Sequence, residues 1–249
     1  MPRVRIEPMQ GTMGCSFVDI PAFPGERFGM GVPESIGDAA RAVWFGPQIR
    51  PQWEPRDDGV RTYTTRVEGE LSYTVTMAPS EDTVDVAIAL TNESDRAWRH
   101  SLAFNCFQCG GSPSVNDHEC VRHWVGTGGE LRRLPELPRK FGPRPTVQLW
   151  GVEGGPSWRD IPFVAGFEAS PDTALEGWLV IVARDGRRLV ATVSRPTLFL
   201  FQNMEYSCIH SAPGFGSLQP GETGSALTRL YFVEASVEEW HARMRRELA

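Results

Sequence analysis

Apolar and polar residues alternate along most of the chain between residues 60 and 233, and a period of two predicts β-strands. The clearest run is 83–91, in which every second residue from Val84 to Leu90 is apolar and is expected to face a core. Turn-forming residues separate the runs, such as Asp185-Gly186 inside a predicted hairpin. The runs predicted as strands are 60–67, 71–77, 83–91, 98–109, 120–125, 146–152, 163–168, 178–184, 188–194, 197–210 and a last strand that ends at residue 233.

The two ends of the chain differ from its middle. Residues 1–58 are rich in proline and glycine, and they predict an irregular N-terminal wrap over a sheet, with an edge strand at 3–6 and one or two helical turns within 33–43. Residues 236–248 predict a helix, because Ser236 and Glu239 form a capping box and an apolar stripe follows. The sequence therefore predicts one domain over 1–249, with its strands at 60–233. We expect an all-β fold, a large antiparallel β-sandwich with a C-terminal helix.

Composition narrows the choice of partners. The formal net charge is −6 and the pI is about 5.5, which argues against nucleic acid, since that ligand needs a clustered basic face. The sequence contains one lysine, Lys140, and this disfavours Schiff-base chemistry. The sequence has five cysteines, begins without an apolar signal-like run and contains no run of membrane-spanning length. These features predict a cytoplasmic protein with reduced thiols and no membrane partner. The sequence leaves the oligomeric state open.

Residues 98–125 carry the densest chemistry, with three of the five histidines and three of the five cysteines. Strand alternation divides this stretch into two faces. The face predicted to be apolar and to point into the core carries Trp98, His100, Leu102, Phe104, Cys106 and Gln108. The other face carries Arg99, Ser101, Ala103, Asn105, Phe107 and Cys109. Together with 120–125, these strands are expected to line a polar cleft.

Two segments resemble the galactose-mutarotase-like sandwich, the superfamily of the aldose epimerases. Residues 71–105 are similar to its paired strands followed by an "LTN…H…FN" segment, and residues 201–232 to its late carboxylate strand, PGE turn and last aromatic strand. Together they cover about a quarter of the chain. The resemblance implies a mutarotase-like supersandwich that binds a sugar on a concave sheet, with a histidine acid and a glutamate base. By position, His100 and Asn105 match the early histidine and asparagine, and Glu205 is the carboxylate of the late strand.

The candidate ligand is therefore a small carbohydrate, and the predicted chemistry is proton transfer at a sugar carbon. This means epimerisation, or β-elimination if the substrate is a uronate. His210 and Glu205 are the predicted acid and base, because the pKa values of such groups can be tuned across neutrality. His118 or His123 is the predicted second acid. The groups predicted to position the sugar are Asn105, Gln108, Arg122, Asn203 and Trp150, with Trp124 and Trp158 as further stacking candidates.

Two other functions stay open. One is a non-catalytic carbohydrate-binding protein, and the other is a metal-dependent enzyme that uses His118, His123 and His210. Cys106 and Cys109 have the spacing of a metal knuckle but lie in a predicted strand, so buried thiols are the default and no metal or cofactor is predicted. Cys208 and His210 share a strand face, but at about 7 Å apart they are expected to be too distant for a hydrogen bond.

Overall fold

The computed structural model describes residues 3–44, 49–138, 146–157 and 169–248. In this part of the chain, eighteen strands form two sheets of nine, and one helix follows the last strand. Sheet A contains β1 Arg5–Pro8, β2 Gly14–Val18, β3 Phe28–Gly37, β4 Ala42–Trp44, β9 Trp98–Gln108, β12 Val147–Val152, β13 Ala169–Leu175, β16 Thr197–Asn203 and β17 Cys208–Leu218. Sheet B contains β5 Glu54–Pro55, β6 Arg61–Val67, β7 Leu71–Pro79, β8 Thr83–Asn92, β10 His123–Thr127, β11 Glu130–Arg133, β14 Trp178–Val182, β15 Arg188–Arg195 and β18 Thr223–Glu234.

The strand order defines a large sandwich that is antiparallel except at one pair. Sheet A runs β1-β2-β3-β9-β17-β16-β12-β13, with β4 paired to β3, and only the β12–β13 pair is parallel. Sheet B runs β11-β10-β14-β15-β18-β8-β7-β6-β5. The predicted fold class is confirmed by this order. Predicted features at Lys140, Trp158 and 163–168 lie outside the described residues.

Aromatic side chains of both sheets fill the core between them. The ring of Phe232, in β18, lies 5.5 Å from that of Phe17, 5.3 Å from Phe28 and 5.6 Å from Phe107, all three in sheet A. All four residues are buried. Each phenyl ring removes a large apolar area from water, and edge-on pairs add about 1 kcal/mol beyond that burial. These contacts hold the two sheets face to face.

The N-terminal segment contains four strands of sheet A and one short strand of sheet B, so the prediction of irregular chain over most of 1–58 is wrong. Strands β1, β2 and β3 pair in succession, and β3 pairs with β9. In place of the helical turns predicted within 33–43, β3 continues to Gly37, a bend follows, and β4 begins at Ala42. Gly29 and Gly31 in β3 pair with Gln108 and Cys106 of β9, and Pro33 lies in the same strand. Proline and glycine therefore lie within paired strand here, where their frequency had predicted irregular chain.

The alternation predicted for β9 fails after its third residue. His100 adopts a positive φ of 49°, and the register with β17 shifts on either side of Gly216, as at a β-bulge. Trp98 faces the core as predicted, but beyond the bulge Ala103 and Phe107 face it. Four residues that were predicted to share the core face with Trp98 therefore point away from sheet B: Leu102, Phe104, Cys106 and Gln108. We call this side the outer face of sheet A.

The predicted C-terminal helix is confirmed as α1, Val237–Glu247, including the reciprocal capping box of Ser236 and Glu239. Trp240 packs on the outer face of sheet B, with its ring 5.1 Å from Trp178 and 5.6 Å from Tyr231. No helix in the described ranges is both long and apolar enough to cross a membrane.

Candidate functional site

The region predicted as one strand over 197–210 is a hairpin. Strand β16 ends at Asn203, residues 204–207 turn, and β17 begins at Cys208, opposite Asn203. Asn203 closes the turn, because its Oδ1 accepts a hydrogen bond of 2.9 Å from the N–H of Glu205. Residues directly opposite each other in an antiparallel pair share a face. The hairpin therefore brings Asn203 and His210 to the same face, where the single-strand prediction had them on opposite faces.

Two rows of side chains cross the outer face of sheet A. The first row consists of Gln108, Cys208, Asn203 and Val147, which are partners across β9, β17, β16 and β12. By the same register, the second row consists of Cys106, His210, Phe201 and Leu149. The predicted site residues Gln108, Asn203 and His210 therefore lie together.

His210 is enclosed by aromatic rings. Its imidazole stacks on Phe104 with the ring centroids 4.4 Å apart and meets Phe201 edge-on at 5.0 Å. Its Nε2 lies 3.2 Å from the Sγ of Cys208, so the prediction that these two side chains are too far apart is wrong. Among the described residues its Nδ1 has no hydrogen-bond partner, although His210 is only 2% exposed. Its neighbours here are thus sulfur and carbon instead of carboxylate oxygen.

Cys106 completes a cluster with Cys208 and His210. The potential ligand atoms of these three buried residues all lie within 4.8 Å of one another, and no other group of three or more such residues occurs in the part of the chain that the structure describes. A hydrogen bond that the Cys106 thiol donates to Cys208, together with burial, raises the pKa of Cys106. The predicted set of His118, His123 and His210 is not formed in those residues, and Cys109 lies on the core side of β9.

His123 belongs to a different place in the molecule. It begins β10 in sheet B and is fully buried. Its Nδ1 lies 2.8 Å from Oδ2 of Asp117, to which it donates because a carboxylate only accepts. Burial alone would raise the pKa of Asp117, but the hydrogen bonds from His123 and from the N–H of Arg122, with their charges, lower it. The contact with Asp117 orients His123.

Arg122 holds backbone in place. Its guanidinium donates to the carbonyl oxygens of Ser114, Val115, Asn116 and Val182. Its own N–H donates to Asp117 over 2.7 Å. The planar fork that was predicted to meet a sugar is instead committed to the loop that precedes β10.

Glu205 and His118 lie at the turn of the β16–β17 hairpin, and both are exposed. Glu205 accepts a hydrogen bond of 2.5 Å from the hydroxyl of Thr146, and Nδ1 of His118 donates to the carbonyl of Met204 over 2.9 Å. Tyr206 in the same turn is 62% exposed. The structure therefore places Glu205 at the rim of the outer face, and not in contact with His210.

Two residues predicted to bind sugar are inside the core. Asn105 lies between the sheets, where its Nδ2 donates to the hydroxyl of Thr228 over 3.3 Å. Trp150 is fully buried in the main core cluster. The prediction fails for Asn105 because the bulge at His100 changes the phase of β9. It fails for Trp150 because β12 alternates, with Val147 and Leu149 on the outer face and Trp150 in the core.

The sequence reasoning missed Phe104, Phe201 and Cys106 as neighbours of His210. The signal that could have found them is the pair of short alternations Phe104-x-Cys106-x-Gln108 and Cys208-x-His210. Each places a sulfur two residues from a polar group on one strand face. Antiparallel pairing of the two strands then makes one cluster.

No family model matches this chain, and no curated protein matches it. Solved structures with similar folds include a galactose mutarotase-like protein from Lactobacillus casei, with 9% identity over 93% of this chain and 100% of that chain and a TM-score of 0.48. A galactose mutarotase related enzyme from Lactobacillus acidophilus has 9% identity over 94% and 98%, with a TM-score of 0.46. A GH36 α-galactosidase from Geobacillus stearothermophilus has 10% identity over 81% and 30%, with a TM-score of 0.41. These likenesses concern the overall fold, and the strand order itself establishes the sandwich.

Proposed function

We propose that this chain binds a sugar or sugar acid at the end of the outer face of sheet A where the β16–β17 hairpin turns. The observation that carries the proposal is the exposed Tyr206 in the hairpin turn, which also holds Glu205 and contacts His118, at the end of the row that holds Asn203 and Gln108. These residues, which we call the polar rim, are Gln108, His118, Asn203, Glu205 and Tyr206. An exposed aromatic ring offers an apolar platform with a polar tip, and amides and a carboxylate suit the hydroxyls of a sugar.

The geometry favours binding over catalysis by the predicted acid–base pair. His210 is buried against Phe104 and lies within hydrogen-bond distance of Cys208, while Glu205 bonds to Thr146. An acid and a base that share a substrate must both reach it within about 3 Å. Epimerisation or β-elimination by His210 and Glu205 therefore stays a prediction. If these two residues catalyse such a reaction, Glu205→Gln should lower the turnover of a sugar that the wild-type protein binds.

Binding is tested by a thermal-shift screen of neutral monosaccharides and uronic acids, followed by calorimetric titration of any sugar that raises the melting midpoint. We expect Tyr206→Ala to weaken binding about tenfold, which corresponds to about 1.4 kcal/mol. Gln108→Ala and Asn203→Ala should each weaken it less, because each removes one amide.

Two control variants make chemically similar changes at exposed positions outside the polar rim. Met9→Ala removes another exposed apolar side chain, and Gln52→Ala removes another exposed amide. Both should bind the sugar as the wild type does. The proposal fails if no sugar class shifts the midpoint, or if Tyr206→Ala binds as tightly as the wild-type protein.

A further inference from the structure

The cluster of Cys106, Cys208 and His210 is not explained by packing alone. Each of the three residues is buried, and an imidazole in an apolar environment ordinarily satisfies both of its nitrogens. Here Nε2 meets only a thiol, which is a weak hydrogen-bond partner, and Nδ1 has no partner among the described residues. A buried polar group left in this way costs about 1 to 3 kcal/mol unless a ligand uses it.

The distances suit a metal ion. Zinc bonds to sulfur at about 2.3 Å and to imidazole nitrogen at about 2.0–2.1 Å, so its tetrahedral ligands lie about 3.5 to 3.8 Å from one another. The Sγ of Cys208 lies 3.2 Å from Nε2 of His210, and the three ligand atoms are all within 4.8 Å. Small side-chain rotations would therefore bring all three atoms onto one ion.

The donor atoms select the kind of ion. Two sulfurs and one imidazole nitrogen favour thiophilic ions such as zinc, whereas magnesium and calcium require oxygen ligands. Two thiolates also balance the charge of a divalent ion, which removes the cost of burying a net charge. On binding, two metal–sulfur bonds and one metal–nitrogen bond replace bonds between the ion and its bound waters, and both thiol protons and the displaced waters pass to the solvent.

We propose that Cys106, Cys208 and His210 bind one zinc-class metal ion on the outer face of sheet A. This site goes beyond the proposed sugar binding and does not depend on it. Three protein ligands leave a fourth tetrahedral position, as in zinc sites that bind a water or a substrate. The row that holds Cys208 also holds Gln108 and Asn203, so the ion would lie beside the polar rim.

The test is the metal content of the full chain, purified in reductant, stripped with a chelator and reloaded with zinc. We expect one zinc per chain by mass spectrometry of the eluted metal after gel filtration. Cys106→Ser and Cys208→Ser should weaken zinc binding by about tenfold or more. Cys109→Ser is the matched control, because Cys109 is equally buried in the core beyond the end of the same strand, and it should keep the ion.

A second measurement on the wild-type protein covers the case in which a serine variant does not fold. Cobalt(II) should give the near-ultraviolet absorption of a cobalt–thiolate bond when added to the stripped protein. The proposal is overturned if neither ion is retained, or if bound cobalt lacks the thiolate absorption. It is also overturned if protein purified in reductant still contains a Cys106–Cys208 disulfide, detected by mass spectrometry of the linked peptides after digestion without reductant.

Discussion

Two fully enclosed histidines, one in each sheet, have opposite surroundings. His123 in sheet B lies 2.8 Å from a buried carboxylate, Asp117, which a neighbouring backbone N–H also contacts. His210 in sheet A stacks on Phe104 and meets Phe201 edge-on, and its polar contact is the sulfur of Cys208. The first histidine is fixed by a strong, charge-assisted contact, whereas the second is held by ring packing that leaves its nitrogens for another partner.

This difference separates a structural role from a binding role. A carboxylate partner orients an imidazole and stabilises its charged form, so His123 contributes to the fold in the protein as it stands. An imidazole beside two thiols contributes little to the stability of the fold by hydrogen bonding. It stabilises the protein only when a ligand binds to it. The two sites should therefore respond in opposite ways to substitution and to metal.

The largest effect is expected from His123→Leu. The change leaves Asp117 buried without its imidazole donor and with only the N–H of Arg122 on the same oxygen, and we expect a loss of about 3 kcal/mol in the free energy of unfolding. Urea unfolding followed by tryptophan fluorescence measures it. A loss below about 1 kcal/mol would show that the Asp117 contact does not support the fold.

Arg122→Met should cost somewhat less, about 2 kcal/mol, because the carbonyls of the loop lose their charged donors. Arg122→Lys should recover less than half of the loss, since an ammonium cannot reach four carbonyls at once as the planar guanidinium does. Thermal and urea unfolding of both variants provide the measurement. Full recovery of stability with lysine would show that the four hydrogen bonds of the guanidinium are not needed together.

Acidification should weaken the sheet B site. The folded protein lowers the pKa of Asp117, so this carboxylate contributes stability above the unfolded pKa of aspartate, about 3.9, and that stability is lost as pH falls through the lower folded value. Melting midpoints between about pH 6 and about pH 3 should fall less steeply for Asp117→Asn than for the wild type. Asp58→Asn, at an exposed position, should keep the wild-type slope. An unchanged slope in Asp117→Asn would contradict this reading.

His210→Leu should change the stability of the metal-free protein least, by no more than about 1 kcal/mol, because the loss of ring stacking is offset by the removal of a buried nitrogen that has no partner among the described residues. The same variant should lose the stabilisation that zinc gives the wild-type protein. Thermal unfolding with and without zinc separates the two effects. A cost equal to that of His123→Leu without metal would place His210 among the structural histidines.

Local patterning predicted much of the fold but little of the site. The alternation over 83–91 and the capping box at Ser236 are short-range signals, and the structure follows both. Asn105 and His210 depended on features that alternation cannot show: a bulge at His100 and a hairpin turn without glycine or proline after Asn203. A shift of one residue moves every side chain to the other face, so the bulge places Asn105 in the core and Gln108 on the outer face, the reverse of the predicted faces. The contact between Cys106 and Cys208 arises only when two distant strands pair.

The sulfur-rich metal site proposed around His210, on the outer face of sheet A, is tested most directly by X-ray absorption at the zinc edge of the zinc-loaded protein. We predict two sulfur neighbours at about 2.3 Å and one imidazole nitrogen at about 2.0–2.1 Å. A first shell of oxygen and nitrogen alone would contradict the claim.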